Sequence, residues 1–383
     1  MKAILSIDPI RFPLTGIGRY TFELARHLEQ LTQLEQLLFF SGNQFVNQLP
    51  SEGESDTPDL AFVGRLRRLL SKSPIAVDYY RWRSSCVKRQ ALRGYEGCVY
   101  HGPNYYLPPF KGPSVCTFHD LSMYTWAHCS LPERVRYMRK EIALTLKRAD
   151  ILITDSEYTR QEIAAYFNWP LARIRAVSLA CSADFRPRSH EELFPILKKY
   201  GLETDGYTLY VGTIEPRKNI DTLLDAYELL SPILRKRWPL VLIGYQGWRS
   251  EHLHARIEAA TAEGWVKYLG YVAEHELPFF FSGARLFVFP SLYEGFGLPV
   301  LEAMSSGTPV VCSNSSSLPE VTGNAAAMCE ARDVDALSSL IAIGLEDDAW
   351  RTEAQSKGIV QAGRFSWRRC AEETARVYGE VVS

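Results

Sequence analysis

The stretch Glu294-Gly-Phe-Gly-Leu-Pro-Val-Leu-Glu302 constrains the fold of this chain more than any other. It follows Leu286-Phe-Val-Phe289, an apolar run that reads as a buried strand. Pro290, Gly295 and Gly297 break the pattern into a tight loop. Pro299 then suits the first position of a helix, where its missing N–H is not needed. Gly307 ends that helix ahead of a second buried strand, Pro309-Val-Val-Cys312. Strand, glycine loop, helix and strand make a βαβ unit of a parallel sheet, and ligands of such sheets lie at the carboxyl ends of the strands. The N–H groups from Phe296 through Gly297 and Leu298 to Val300 would face an anion such as a diphosphate. Glu294 on the loop and Glu302 one turn into the helix would flank it and accept hydrogen bonds from hydroxyls. The spacing fits equally well a helix with ordinary acidic residues in its first turn.

The phrase E-G-F-G-L-P-x-x-E closely resembles the glutamate–seven–glutamate motif of the retaining family 4 glycosyltransferases. That resemblance implies an α/β chain of GT-B architecture. Two Rossmann-like parallel-sheet domains would face each other across a cleft, and a C-terminal helix would cross back to the first domain. It implies boundaries of 1–185 with 366–383 for an acceptor-side domain, and 186–365 for a donor-binding domain. It also implies that Glu294 contacts the donor sugar and Glu302 the nucleotide ribose.

At 383 residues the chain is long enough for two domains with cores of their own. A formal net charge of −1 excludes a general polyanion binder, so no nucleic-acid partner is expected. The N-terminal Met1–Asp8 segment reads as a strand and not a signal peptide, because its apolar run is short and Asp8 interrupts it. No run approaches the roughly 18 apolar residues of a membrane span. The eight cysteines form no Cys-x-x-Cys pair and several lie in apolar strands, which favours reduced, buried thiols in a cytoplasmic protein.

Along the chain, Ala3–Ile7 reads as a first strand, Pro9–Gly18 as a loop and Arg19–Leu31 as a helix. The loop carries Thr15-Gly-Ile-Gly-Arg-Tyr20. Its Gly16 and Gly18 resemble the family's N-terminal glycine loop, whose backbone lines the cleft near the donor phosphates; a simple turn is equally compatible. A nicotinamide-binding reading is weak, since the third glycine is replaced by Thr21 and no acidic residue closes the second strand, Leu37–Ser41. The strand Ser114–Phe118 ends in His119-Asp120, at the functional edge of an open sheet. The position of His119 matches the family's histidine beside the transferred sugar, although a lone histidine is more often structural. Ser156 caps a helix that runs to Phe167.

The second domain opens with Tyr207–Val211, then Gly212-Thr-Ile-Glu-Pro-Arg-Lys-Asn219. Gly212 allows a backbone to approach a ligand, and Arg217 and Lys218 project at the end of a strand, where a diphosphate would sit. Either cation also fits a solvated turn, but G-x-x-x-x-R-K-N resembles the family's donor-diphosphate stretch. The turn after Val266–Gly270, at Tyr271 and Val272, corresponds to the family's nucleobase contact. Asp333-Val-Asp335 has the spacing of a D-x-D metal site, but Asp335 as the cap of a following helix is the simpler account. No metal and no cofactor is expected, the nucleotide sugar being a substrate.

From Gly64 to Arg93, nine cationic side chains stand against one acidic, Asp78, with Tyr79, Tyr80 and Trp82 interleaved. That pattern fits either a solvated helical face or a surface resting on anionic lipid. The phrases T-G-I-G-R-Y-T and D-S-E-Y-T-R are similar to bacterial mannosyl- and rhamnosyltransferases of surface polysaccharide assembly. The combined expectation is a metal-independent retaining transferase in lipopolysaccharide O-antigen biosynthesis. It would move a hexose from a GDP-linked donor, mannose or D-rhamnose, to a glycan on a lipid carrier. It would work on the inner face of the cytoplasmic membrane, held there by residues 64–93. The rival readings are another GT-B activity such as a sugar-nucleotide epimerase or hydrolase, an NAD-dependent enzyme, and a silent glycan-binding protein.

Overall fold

The computed structural model describes residues 1–51, 74–247 and 251–382, with residues 74–81 as backbone alone. Two parallel sheets face each other. The first holds β1 (Lys2–Ser6), β2 (Gln36–Ser41), β3 (Gln44–Val46), β4 (Val99–Gly102), β5 (Ser114–Phe118), β6 (Ile151–Thr154) and β7 (Ile174–Ala176), in the order β3-β2-β1-β4-β5-β6-β7. The second holds β8 (Thr208–Val211), β9 (Leu240–Ile243), β10 (Val266–Gly270), β11 (Leu286–Phe289), β12 (Val310–Ser313) and β13 (Ala326–Cys329), in the order β10-β9-β8-β11-β12-β13. Short edge strand β3 is antiparallel to β2, and sequence periodicity does not separate it from the turn at Gly42. In each sheet the order reverses beside the first strand, between β1 and β4 and between β8 and β11, which is where such folds bind ligands.

The apolar runs behave as their composition demands. Every residue of β8, β9, β11 and β12 is buried, as expected when helices cover both faces of a parallel sheet. Phe287 and Phe289 are both fully enclosed, each contributing about 2–3 kcal/mol of hydrophobic stabilisation. The C-terminal helix Trp367–Glu380 leaves the second sheet and packs on the first helix, Gly16–Leu28. Its buried face carries Trp367, Ala371, Ala375 and Tyr378. Tyr378 Oη meets His101 Nδ1 at 2.7 Å, and Arg175 pairs with Glu380 at 2.6 Å, so the crossing is bonded as well as packed.

Four local expectations are corrected. The first helix begins at Gly16, not after Gly18, because extended Thr15 already accepts the Arg19 N–H at 2.8 Å. Gly16 and Gly18 therefore lie in a helical first turn. The cap of Val334–Glu346 is Asp333, whose side chain accepts the Ala336 N–H at 2.9 Å, while Asp335 lies inside the first turn. Asp333 is extended, the conformation a capping residue needs. Val300 offers no N–H to a ligand, since it closes onto Gly297 O at 3.0 Å. All eight cysteines are free, but Cys86 is exposed where burial was expected. Residues 52–73, and with them positions 64–73 of the basic segment, lie outside the described residues.

Candidate functional site

The site grows from two turns that lock together. A single 3₁₀ turn, Pro216–Lys218, follows β8 and ends at Asn219, whose backbone is left-handed at φ 59°. Asn219 Nδ2 donates to Pro290 O at 2.9 Å, and Leu292 N donates to Arg217 O at 2.9 Å. The turn after β8 is thereby stapled to the loop after β11. Arg217 Nη1 reaches Tyr293 O at 2.7 Å and its other nitrogens hold Glu215 Oε1 at 2.8 and 3.1 Å. Lys218 Nζ pairs with Glu294 Oε1 at 2.6 Å, and Arg217 stands 3.6 Å from the other oxygen. These side chains are nearly enclosed, so their charges act at low dielectric. Burial pushes the Glu294 carboxyl up, but Lys218 and Arg217 outweigh it and hold the group below the ordinary range. Burial pulls Lys218 down, against the attraction of Glu294.

Two glycines shape the loop. A Cβ on Gly295 would lie 1.9 Å from His119 O, so only glycine lets the second lobe's loop meet the first lobe's backbone. Gly297 has φ 105° and caps the helix Leu298–Ser305. Leu298 is the first residue of that helix and Gly297 its cap, so their N–H groups have no partner within it. With Phe296, they form the short N–H cluster that the sequence places at the diphosphate. Gly212 ends β8 against Gly244, whose would-be Cβ meets Gly212 O at 1.9 Å. The two backbones therefore touch each other, and Gly212 is packed for its neighbour's sake.

Glu302 lies on the same helix, 7% exposed. Burial raises its carboxyl to about 7; Arg19 pulls it back, and Glu274 adds to the rise. Arg19 donates to Glu302 at 3.1 Å and reaches Glu274 at 2.8 Å.

His119 departs from expectation. Its Nδ1 meets Asp155 Oδ2 at 2.7 Å and its Nε2 meets Pro103 O at 2.9 Å. The backbone carbonyl accepts from Nε2, and the Asp155 carboxyl shares a proton with Nδ1. Burial alone would lower its pKa, but Asp155 beside it carries it above the ordinary value. With both nitrogens engaged, His119 has no free donor for a sugar. It fixes the loops at residues 103–105 and 119–121 instead. Tyr271 is half exposed and stacks on Tyr245, with ring centroids 4.8 Å apart. Val272 is buried beneath that turn.

Several residues that the sequence reading did not single out join the lobes. Ser156 caps its helix as expected, but its Oγ also donates to Gly295 O at 2.7 Å, with Thr159 Oγ1 at 3.1 Å. Glu320 accepts the Glu157 and Tyr158 N–H groups at 2.8 and 2.5 Å, capping that helix from the other lobe. Leu121 N donates to Tyr293 Oη at 2.8 Å. The phrase D-S-E-Y-T-R holds four of these residues, Ser156, Glu157, Tyr158 and Thr159, but nothing in it identifies their partners as residues more than a hundred positions away.

A cavity of about 870 Å³ lies in the first lobe, not at the glutamate loop. It opens at the carboxyl ends of β1, β2 and β4. Its walls include Asp8, Arg11, Asn104, Tyr106, Tyr137 and Arg148. Lys88 pairs with Asp8 there at 2.8 Å. Among the described residues no group of histidine, cysteine and carboxylate side chains is arranged to hold a metal. No helix among them is long and apolar enough to cross a membrane.

Comparison with known proteins gives the arrangement a context. The family model described as glycosyl transferases group 1 matches residues 195–361, the half that carries the Arg217, Lys218, Glu294 and Glu302 constellation. The chain is 46% identical over 378 residues, covering 99% of both sequences, to an O-antigen chain mannosyltransferase B of Escherichia coli. Its fold is similar to that of a sucrose-phosphate synthase from Thermosynechococcus elongatus, with TM-score 0.70 at 19% identity over 99% of each chain. It is also similar to WaaG, a glycosyltransferase involved in lipopolysaccharide biosynthesis, with TM-score 0.69 at 15% identity over 98% of this chain and 99% of that one.

Proposed function

This chain belongs to the group 1 glycosyltransferases, and from that premise we propose that it transfers mannose from GDP-mannose to a growing O-antigen glycan on a lipid diphosphate carrier. The full-length identity to an O-antigen mannosyltransferase supports the sugar and the pathway. The observation that carries the chemistry is the buried Arg217–Lys218–Glu294 cluster under the N–H groups of Phe296, Gly297 and Leu298.

The donor diphosphate sits at that N–H cluster, with Arg217 and Lys218 beside it. As the glycosidic bond breaks, negative charge grows on the departing phosphate and positive charge on the ring. Fixed cations and N–H dipoles in a nearly dry site stabilise the first without reorganising. Glu294 is held ionised by Lys218 and accepts hydrogen bonds from the sugar hydroxyls. Glu302 accepts from the ribose hydroxyls. The base lies toward the turn at Tyr271 and Val272, where exposed rings offer it a stacking face. The acceptor hydroxyl attacks the anomeric carbon from the face that the diphosphate leaves, and its proton passes to the leaving phosphate oxygen. The product keeps the anomeric configuration, and no metal takes part. His119 contributes by holding the cleft backbone.

The acceptor glycan occupies the first-lobe cavity. Phenol rings and amide side chains suit pyranose faces and hydroxyls, and paired charges suit a neutral sugar better than a free anion. Arg83, Arg89 and Arg93 are exposed near it and, with the remainder of residues 64–93, rest on the inner face of the cytoplasmic membrane. The test is transfer to a mannose-terminated lipid-linked acceptor from a panel of nucleotide sugars. GDP-mannose alone should be consumed, and α-configured product should form in the presence of a chelator. Consumption of another donor in its place, or reversible loss of activity on chelation, would overturn the reading.

A further inference from the structure

Arg19 is the fourth residue after the N-cap of the first helix and belongs to the first lobe, yet both of its side-chain partners belong to the second. Its two terminal nitrogens divide between Glu302 at 3.1 Å and Glu274 at 2.8 Å. Its side chain is 14% exposed, and that of Glu302 9%. A guanidinium can hold two carboxylates at once because its donors are fixed in a planar fork, which an ammonium lacks. We infer that Arg19 is a positioning residue of the donor site, which favours the ionised Glu302 carboxylate and aims it at the nucleotide ribose only when the two lobes are in register. This rests on the reading of Glu302 as the ribose acceptor.

Three observations carry it. Glu302 is enclosed on a helix whose residues Val300, Leu301, Ala303 and Met304 are all buried, so water does not supply its counter-charge. Arg19 is the cation bonded to it among the described residues. The lobes are also joined through Gly295, Tyr293 and Glu320, whose hydrogen bonds go to neither Glu302 nor Arg19. The Arg19 contact is separate from those bonds and acts on the carboxylate itself. The charged and titratable groups that bear on Glu302 are Arg19 from the first helix, Glu274 ahead of the helix Leu277–Gly283, and the thiol of Cys181 from the segment joining the lobes. Arg19 favours the ionised carboxyl and Glu274 opposes it.

Those opposed influences give a test that a merely structural contact would not pass. GDP binding is measured by calorimetry from pH 5.5 to 9 for wild type, Arg19→Met, Arg19→Lys, Glu274→Gln and Glu302→Gln, with thermal melting as the control for fold. Affinity should fall as pH drops through the carboxyl's titration in wild type. In Arg19→Met the midpoint should rise and affinity at pH 7.5 should drop roughly tenfold or more, one pKa unit corresponding to a tenfold change. Arg19→Lys should lie between the two, because one ammonium cannot span both carboxylates. In Glu274→Gln the midpoint should move the other way, and this variant decides the matter if Arg19→Met does not fold. If Arg19→Met is folded and keeps both the affinity and the midpoint, or if Glu274→Gln moves the midpoint upward, the inference fails. A Glu302→Gln enzyme that binds GDP as tightly as wild type overturns the ribose reading first, and the role of Arg19 with it.

Discussion

The two walls of the cleft are built on opposite plans. The second lobe presents a cluster of buried, mutually paired charges on two short turns, fixed to each other by hydrogen bonds onto backbone carbonyls. The first lobe presents an open cavity of about 870 Å³ whose rings and amides come from many separate loops. The first plan suits a group that is the same in every reaction cycle, a diphosphate whose charge must be met by fixed charge. The second suits a ligand with many neutral hydroxyls and a changing shape. A rigid wall does the bond breaking, and an adaptable wall selects what receives the sugar.

The strongest way to break this contrast is Lys218→Ala. It leaves Glu294 buried without its nearest cation, which should cost about 3–5 kcal/mol of stability. It also removes a charge-assisted phosphate contact of about 1.5–3 kcal/mol, so kcat should fall tenfold to a hundredfold. Thermal melting and steady-state turnover report the two effects separately, and wild-type turnover would take Lys218 out of the site.

The next test divides the rigid wall itself. Glu302→Gln should weaken GDP binding by roughly tenfold, the order of one charged hydrogen bond. Glu294→Gln should leave GDP binding intact and reduce transfer. Calorimetry and turnover distinguish them, and equal loss in both assays for both variants would erase the division.

The same pair should show opposite stability profiles. The Glu302 carboxyl sits at about 7 in the folded chain against 4.5 when free. A raised carboxyl favours folding while protonated in both states, so that contribution is full below pH 4.5 and is lost as pH climbs through 7. The loss is worth about 3 kcal/mol, so Glu302→Gln should melt higher than wild type at pH 8. Glu294 is held below its ordinary value, so its contribution is present above pH 4.5 and is lost as pH falls further. Glu294→Gln should therefore melt lower than wild type at pH 8. A pH scan of melting temperature checks both signs.

On the adaptable wall, Tyr137→Ala should raise the acceptor KM about fivefold, the value of one ring contact of about 1 kcal/mol, without changing slow donor hydrolysis. If donor hydrolysis fell in parallel, the cavity would not be the acceptor's alone. The last effect expected is at the membrane and leaves catalysis untouched. Replacing Arg65, Arg67 and Arg68 with Ser should reduce co-sedimentation with anionic liposomes by about 1 kcal/mol per charge at low salt, and leave soluble-acceptor kinetics unchanged.

How much of this was legible beforehand depends on range. The βαβ unit around Glu294 and Glu302 and the turn with Arg217 and Lys218 follow from patterns a few residues long. Gly295 and Gly297 were readable as loop glycines, and the structure supplies the steric reason: one faces His119 O and the other has φ 105°. Asp335 was misread as the cap because two aspartates one residue apart offer the same local signal, and the extended backbone of Asp333 decides between them.

His119 and Arg19 mark the limit. The sequence by itself determined that a histidine ends β5 and an arginine follows two glycines at the start of the first helix. It also determined most of the strands, because periodicity and glycine placement are local and each strand must be buried wherever it goes. Only the tertiary structure decided that His119 spends both nitrogens on Asp155 and Pro103, and that Arg19 crosses to Glu302 and Glu274. A charge's partner is whatever group folding brings within about 3 Å of it, and those groups lie far apart in the chain. Residue type fixes what each side chain can do, and the packing of the two lobes fixes which of those things it does.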